Sequence, residues 1–430
     1  MKIIISNIVT LNMGDAAILR GEIKILKKVF GPHTEFVIYD SQPEISKKYY
    51  PDLNFRKMIF LTLPLSLRRI PYLGNFLVYI SILFYCIAAL MLRFNMEFLA
   101  KLLAPQAVLN ALNDYRSSDL VVSTGGTILV ENYDLKPRWF DFFLTLILDR
   151  PLVLFTQSLG PFRKPANKFL AKLIFNRAVL IFLRDARSKK HLIDIGIKSS
   201  KMFVCADAAF AFVDPKSLLE RMRRPFNFAE NIKIAISVRE WSHFKKIDPA
   251  MGRRRYIESI KDLCAFLTTS FKAHITFLST CQGIPEYWTD DAKFAAEIIN
   301  SLPDDVRSHV DLNSEFHNPQ EMIELLKKYD VTLSTRLHMG ILSFCAGTPS
   351  MLIAYEFKSK ELFKRLNLSN FSLDIEDLDS EKLIESINLF IQSLPTIRSN
   401  LFSSIEKEHS KAFLAAKIMK PIFLSDPSLL

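Results

Sequence analysis

Arg336, His338 and Lys358 fall within one stretch, Tyr329 to Leu366, and are of types that could do chemistry on an anion. Arginine offers a planar fork of donors and lysine a compact positive charge, while an imidazole gives and takes protons near neutral pH. A short apolar run, Val331 to Leu333, ends in Ser334, Thr335, Arg336 and His338. A small-residue helix then closes at Gly347 and Pro349, before a second strand from Ser350 to Tyr355. This order predicts Arg336 and His338 at a strand-to-helix turn, where backbone N–H groups and the helix dipole favour a bound anion. Glu356 and Lys358 follow at the end of the second strand, which is expected to lie parallel to the first. An isolated R-x-H would more often be a salt-bridged arginine and a packed histidine. Two cations at adjacent strand ends favour an anionic substrate instead.

The same residues carry a resemblance. Arg336, Leu337 and His338 on a strand-to-helix turn, Gly347 and Pro349 closing the helix, then Tyr355 and Lys358, are similar to a block of the polysaccharide pyruvyl transferase family. Looser matches run in order through Asn12 to Asp15, Gly125 and Gly126, Gln157 to Pro161 and Arg184 to Ser188; only the last block, Arg336 to Lys358, is specific. Members of that family transfer the enolpyruvyl skeleton of phosphoenolpyruvate onto a sugar, giving a pyruvate ketal. The resemblance implies phosphoenolpyruvate as donor, a sugar acceptor that is lipid-linked, nucleotide-linked or polymeric, and no metal or redox cofactor. A donor with a carboxylate and a phosphate needs at least two fixed cations, which Arg336, Lys358 and Arg184 would supply. His338, with Arg336, would be catalytic, moving protons as the vinyl group is protonated and the sugar hydroxyls add. Asn12, Asp15, Gly125, Gly126, Gln157, Arg239 and Glu356 are further candidate substrate contacts.

The chain's 430 residues suffice for two domains with separate cores, and 49% hydrophobic with 23% charged residues is a globular balance. The formal net charge of +11 suits an acidic substrate or an anionic membrane surface. No basic run interleaved with stacking aromatics points to nucleic acid. Five scattered cysteines without a C-x-x-C pair read as reduced core thiols, hence a cytosolic compartment and no structural zinc. Lys2 is followed at once by a strand pattern, which argues against a signal peptide.

Taken in order, the elements alternate. A strand from Lys2 to Ser6 leads through Asn12, Gly14 and Asp15 into a helix reaching about Phe30; Asp15 is read either as a helix cap or as a substrate contact. Strands at Glu35 to Tyr39, Leu120 to Ser123, Pro151 to Thr156 and Val179 to Leu183 follow, each of the last three ending in a polar or glycine cluster. These clusters hold Gly125 and Gly126, Gln157 and Ser158, and Arg184 and Asp185, with Arg184 read either as an ion-pair partner or as an anion contact. The Pro- and charge-rich segment 214–231, with Pro215 and Pro225, marks a linker. Beyond it a strand from Ile232 to Val238 ends at Arg239, and βαβ order resumes to about residue 380. Helices over 381–430 are expected to pack outside, the last returning to the first domain. The expected architecture is α/β: two facing doubly wound, Rossmann-like domains, 1–213 and 232–380, of GT-B-like kind, with an apolar helical insertion at about 59–104.

That insertion holds 23 uncharged residues between Arg69 and Arg93, enough to span a hydrocarbon core of about 30 Å. Strands on either side of it should share one sheet, which a single crossing would forbid. An in-plane or re-entrant helix over residues 70–104, with Arg68, Arg69, Arg93 and Lys101 at headgroup level, resolves the conflict and predicts peripheral attachment at the inner face of the membrane. A buried core helix is the other reading. Metal-binding histidine pairs, the G-x-G-x-x-G dinucleotide fingerprint, the G-x-x-x-x-G-K-[ST] phosphate loop and G-x-S-x-G are absent. Two alternatives stand beside pyruvyl transfer: a GT-B nucleotide-sugar glycosyltransferase, and a non-catalytic membrane-attached assembly factor for polysaccharide synthesis.

Overall fold

In the computed structural model, which describes residues 1–64, 73–223 and 231–425, the alternating apolar runs become two parallel sheets in two units. The first unit takes in Met1–Thr10, Ile18–Ala211 and the chain from Lys411; the second takes in Leu11–Ala17 and Phe212–Ser410. Asn12 and Asp15, within the segment expected in the first domain, thus group with the second unit.

The described strands of the first unit are β1 (Lys2–Ile8), β2 (Glu35–Asp40), β3 (Phe55–Lys57), β4 (Leu120–Ser123), β5 (Gly126–Leu129), β6 (Leu152–Leu159), β7 (Leu180–Leu183) and β8 (Met202–Val204). They run in the order β3-β2-β1-β4-β6-β7-β8, with β5 beside β6 and every pairing parallel. β1, β4, β6 and β7 read as near-continuous Ile/Val/Leu/Phe runs because helices cover both faces, and all eight residues of β6 are buried. β6 therefore continues past its expected end at Thr156. Gln157 and Ser158 lie inside it, beyond a register shift against β7.

The second unit contains β9 (Lys233–Ser237), β10 (His274–Phe277), β11 (Val310–Leu312), β12 (Val331–Ser334), β13 (Ser350–Ala354) and β14 (Ser372–Asp374), in the order β11-β10-β9-β12-β13-β14, all parallel. This is the doubly wound order with its reversal between β9 and β12, and a crevice opens beyond the carboxyl ends of strands at such a reversal. The helix Leu337–Ala346 returns the chain from β12 to β13 and stops at Gly347, whose φ of 76° is cheap for glycine alone.

Segment 214–231 is not an extended linker throughout. Pro215–Arg223 is a helix of the second unit, held by Arg221, whose guanidinium donates to the Tyr329 carbonyl at 3.0 Å and the Thr348 hydroxyl at 3.2 Å. Pro225 lies outside the described residues, as do Arg68 and Arg69.

The apolar insertion becomes the helix Gly74–Arg93 and the shorter helix Glu97–Leu103. Val78, Tyr85, Ala88, Ala89 and Leu92 bury one face of the longer helix in the first unit's core, against the helices Gln106–Arg116 and Lys136–Ile147. Phe76, Tyr79, Leu83 and Leu90 leave the opposite face exposed. Only 28% of its most apolar window is buried, so it is not the enclosed core helix that was one reading of the sequence.

Candidate active site

The carboxyl ends of β9 and β12 bring Arg239 and Arg336 to the two sides of the strand-order reversal, since Ser237 and Ser334 are paired neighbours in the sheet. Arg336 is the residue before the Leu337–Ala346 helix, in extended conformation, and is only 8% exposed. Its Nε and Nη2 donate to the two oxygens of Asp291 at 2.8 and 2.7 Å. Asp291 opens the helix Asp291–Asn300 and also accepts from the Ser279 hydroxyl at 2.5 Å. Burial opposes the Arg336 charge, but Cys281 and Asp291 outweigh it and hold its pKa well above the ordinary arginine value. Asp291 was not foreseen as a site residue: an acidic residue at a helix start reads as dipole compensation, and its partner lies 45 positions away.

His338 sits in the first turn of that helix. Against its ring packs the first turn of the helix Met13–Phe30, and a Cβ on Gly14 would lie 2.4 Å from Nδ1 and 2.8 Å from Cγ. Only glycine lets the two elements come so close. The turn is tied down by the Gly14 N–H donating to Asn12 Oδ1 at 2.9 Å, and by the Met13 N–H donating to the Thr280 carbonyl at 3.2 Å. Asn12 also bonds Tyr287, whose pKa is raised chiefly by burial. Burial pushes the Cys281 thiol up to about 12, and the charges of Arg336, Asp291, Asp15 and Arg239 all act on it. Asn12, Asp15, Arg239, Arg336 and His338 thus belong to one cluster within the second unit.

Arg239 is held differently from Arg336. Its guanidinium lies 4.5 Å from the centroid of the Tyr355 ring and 5.5 Å from that of Trp241, and those two rings are 4.7 Å apart. Such cation–ring contacts orient a guanidinium while leaving its N–H edge available. Among the described residues no carboxylate lies within ion-pair distance of Arg239. Lys358, by contrast, pairs with Glu356 at 2.6 Å, in the turn that opens the helix Phe357–Arg365. Of the cations at this edge, Arg336 and Lys358 each come with a carboxylate and Arg239 does not. Trp241 was not singled out in the sequence, although an aromatic two residues past a strand-end arginine is the signal that could have found it.

Gly125, Gly126, Gln157 and Arg184 belong to the first unit. Gln157 is fully buried, and its Nε2 donates to the Ser123 hydroxyl at 2.8 Å and the Thr124 carbonyl at 2.7 Å, clamping the loop that leads into Gly125 and Gly126. Behind that loop lies the buried carboxyl of Glu22, which accepts from the Thr124 hydroxyl at 3.1 Å. Burial raises its pKa to about 8, against the pull of that bond and of Gly125. Arg184, at the end of β7, donates to Asp207 at 2.5 Å, to Thr127 at 2.7 Å and to Ser158 at 3.2 Å. The carboxylate anticipated as its ordinary partner is therefore Asp207. Asp185 instead caps the helix Ala186–Asp194 by accepting from the Ser188 N–H at 2.7 Å.

Comparison with known proteins bears on the family and the fold. The family model for polysaccharide pyruvyl transferase matches residues 12–356, a span that begins at Asn12 and ends at Glu356. The amylovoran biosynthesis protein AmsJ of Erwinia amylovora is 28% identical over 316 residues, covering 72% of this chain and 74% of its own. Among solved structures, Anabaena HepE in complex with UDP-glucose superposes with a TM-score of 0.54 at 15% identity, over 99% of each chain. The UDP-GlcNAc 2-epimerase from Neisseria meningitidis, bound to UDP-GlcNAc, gives 0.57 at 14% identity, over 99% of this chain and 100% of its own. At those identities the likeness speaks for the fold alone, two Rossmann-like domains of GT-B-like kind. With the family model spanning most of its length, the chain belongs to the polysaccharide pyruvyl transferase family and is a transferase.

Proposed function

We propose that this transferase moves a pyruvyl group from phosphoenolpyruvate to a sugar of a cell-surface polysaccharide or its precursor, forming a pyruvate ketal and releasing phosphate. The observation that carries the reading is the arrangement at the β9/β12 reversal, where a stacked Arg239 and a braced Arg336 share one strand edge with His338. In this scheme Arg239, presented edge-on by Tyr355 and Trp241, takes one charged end of the donor. Arg336 uses the N–H groups that Asp291 leaves over, and Lys358 adds a further positive charge. Arg184 was a further candidate donor contact, but its partners Asp207, Thr127 and Ser158 make bracing of β5 to β7 its better-supported role.

Chemistry proceeds in two additions. An acceptor hydroxyl bonds to C2 of the donor while His338 protonates the methylene carbon to a methyl group, and the imidazole recovers its proton from that hydroxyl. A second hydroxyl of the same sugar then bonds to C2 as the C–O bond to phosphate breaks, its proton leaving with the phosphate. No electrons change hands, and the scheme calls for no metal or redox cofactor. Because the two hydroxyls must meet one carbon in turn, positioning carries much of the rate.

Five free thiols, four of them buried, support a reducing, cytoplasmic setting. The exposed face of Gly74–Arg93 supports peripheral attachment to the inner face of the cell membrane. The test is a donor screen by thermal shift with phosphoenolpyruvate against nucleotide sugars, followed by mass spectrometry of the acceptor. Stabilisation by phosphoenolpyruvate and an acceptor carrying a ketal are expected. Stabilisation by a nucleotide sugar alone would replace the reading with glycosyl transfer, and no response to either would favour a non-catalytic role.

A further inference from the structure

At the amino ends of β6 and β7, away from the strand ends that carry Gln157 and Arg184, the first unit has a cleft of about 620 Å³ lined by Arg93, Arg150, Arg177, Phe143 and Ile147, with Asp149 at its side. Three guanidinium groups meet a single carboxylate there. Arg93 donates to Asp149 at 2.8 Å and to the Ile147 carbonyl at 3.2 Å. Arg150 is fixed by the Leu148 and Ser118 carbonyls, and Arg177 by the Leu173 carbonyl. Among the described residues neither Arg150 nor Arg177 has a carboxylate within ion-pair distance. The cleft therefore carries an excess of positive charge, held in place by backbone oxygens that do not neutralise it.

Arg93 is also the last residue of the apolar helix, so the cleft and the exposed apolar face share an edge. The side chain after it, Phe94, packs under the Arg93 guanidinium and is largely exposed, as are Phe98 at 74% and Phe76 at 58%. Resting on the reading that this helix lies in the membrane interface, we infer that the cleft receives anionic lipid headgroups while the Phe76, Phe94 and Phe98 face enters the acyl boundary. The enzyme then selects an anionic bilayer surface over a neutral one. Charge complementarity decides the occupant: an anionic surface answers the apolar face and the positive cleft beside it together.

The experiment is co-sedimentation of the full chain with vesicles of phosphatidylcholine alone and of phosphatidylcholine mixed with phosphatidylglycerol. Wild-type protein should pellet with the mixed vesicles and only weakly with the neutral ones. Arg93→Gln with Arg177→Gln should bind the mixed vesicles about thirtyfold more weakly, two interfacial charges being lost. Phe76→Glu with Phe98→Glu should abolish binding to both, with circular dichroism confirming the fold of each variant. Equal wild-type binding to both vesicle types would overturn the cleft's role and leave membrane attachment standing. Binding to neither would overturn both. A stable dimer by light scattering that Phe76→Glu with Phe98→Glu dissolves would hand the face to a second copy and overturn the inference.

Discussion

The Arg336 guanidinium meets Asp291 fork to fork, at 2.8 and 2.7 Å, with both side chains removed from solvent. A pair of this kind does two things. It fixes the arginine's orientation at the end of β12, and it makes each partner's presence a condition for the other's burial.

Removing one partner should accordingly damage the fold. Asp291→Ala leaves a buried, uncompensated Arg336 and is expected to lower the unfolding free energy by ~3–5 kcal/mol in urea titrations. Arg336→Met combined with Asp291→Leu should recover most of that stability yet show no turnover. Single and double variants of equal stability would mean that the pair is not held as described.

His338 lies in the first turn of the Leu337–Ala346 helix, with the Gly14 turn packed against its ring. His338→Gln should lower kcat by ~10²–10⁴ while leaving the melting temperature close to wild type. Wild-type turnover in that variant would remove the imidazole from the proton transfers.

Gly14 is expected to matter for activity although it bears no functional group. A methyl group at this position would lie 2.4 Å from His338 Nδ1, so Gly14→Ala must displace the ring or the turn. A misplacement on that scale should reduce kcat about a hundredfold, with a smaller effect on donor affinity. Steady-state kinetics that match wild type would show that the ring's position is not critical.

Glu22 makes stability depend on pH in a stated direction. Its folded pKa of about 8 lies above the ordinary value of 4.5, because burial disfavours the carboxylate. Between those values the unfolded chain has lost the proton that the folded chain keeps, so stability falls as pH rises. The loss totals about 3–5 kcal/mol, is absent below about pH 4.5 and levels off above about pH 8. Melting curves of Glu22→Gln should lack this part of the slope; parallel pH profiles for wild type and variant would contradict the assignment.

Much of the scaffold could be read from the chain because β1, β4, β6, β7, β9 and β12 are buried on both faces and so stand out as unbroken apolar runs. Short strands such as β3, β8, β11 and β14 carry three residues each and leave no periodic signal. Arg336 and His338 were legible from their place at a strand-to-helix turn. The partners of the arginines were not: Asp291 of Arg336 and Asp207 of Arg184 are joined to them only by tertiary structure, 45 and 23 positions away. Hydropathy found the apolar helix but could not say which face the core would take, since apolar residues occur on both, such as Val78 and Leu92 on one and Phe76 and Leu83 on the other.

The proposed phosphoenolpyruvate site at the β9/β12 edge turns on the stacked guanidinium of Arg239. Calorimetric titration of phosphoenolpyruvate into wild type and Arg239→Gln tests it most directly. Saturable binding to wild type that weakens by about 10–100-fold in the variant is predicted, as expected for losing a charge-assisted contact. Equal affinity in the two proteins, or no heat from phosphoenolpyruvate with wild type, would contradict it.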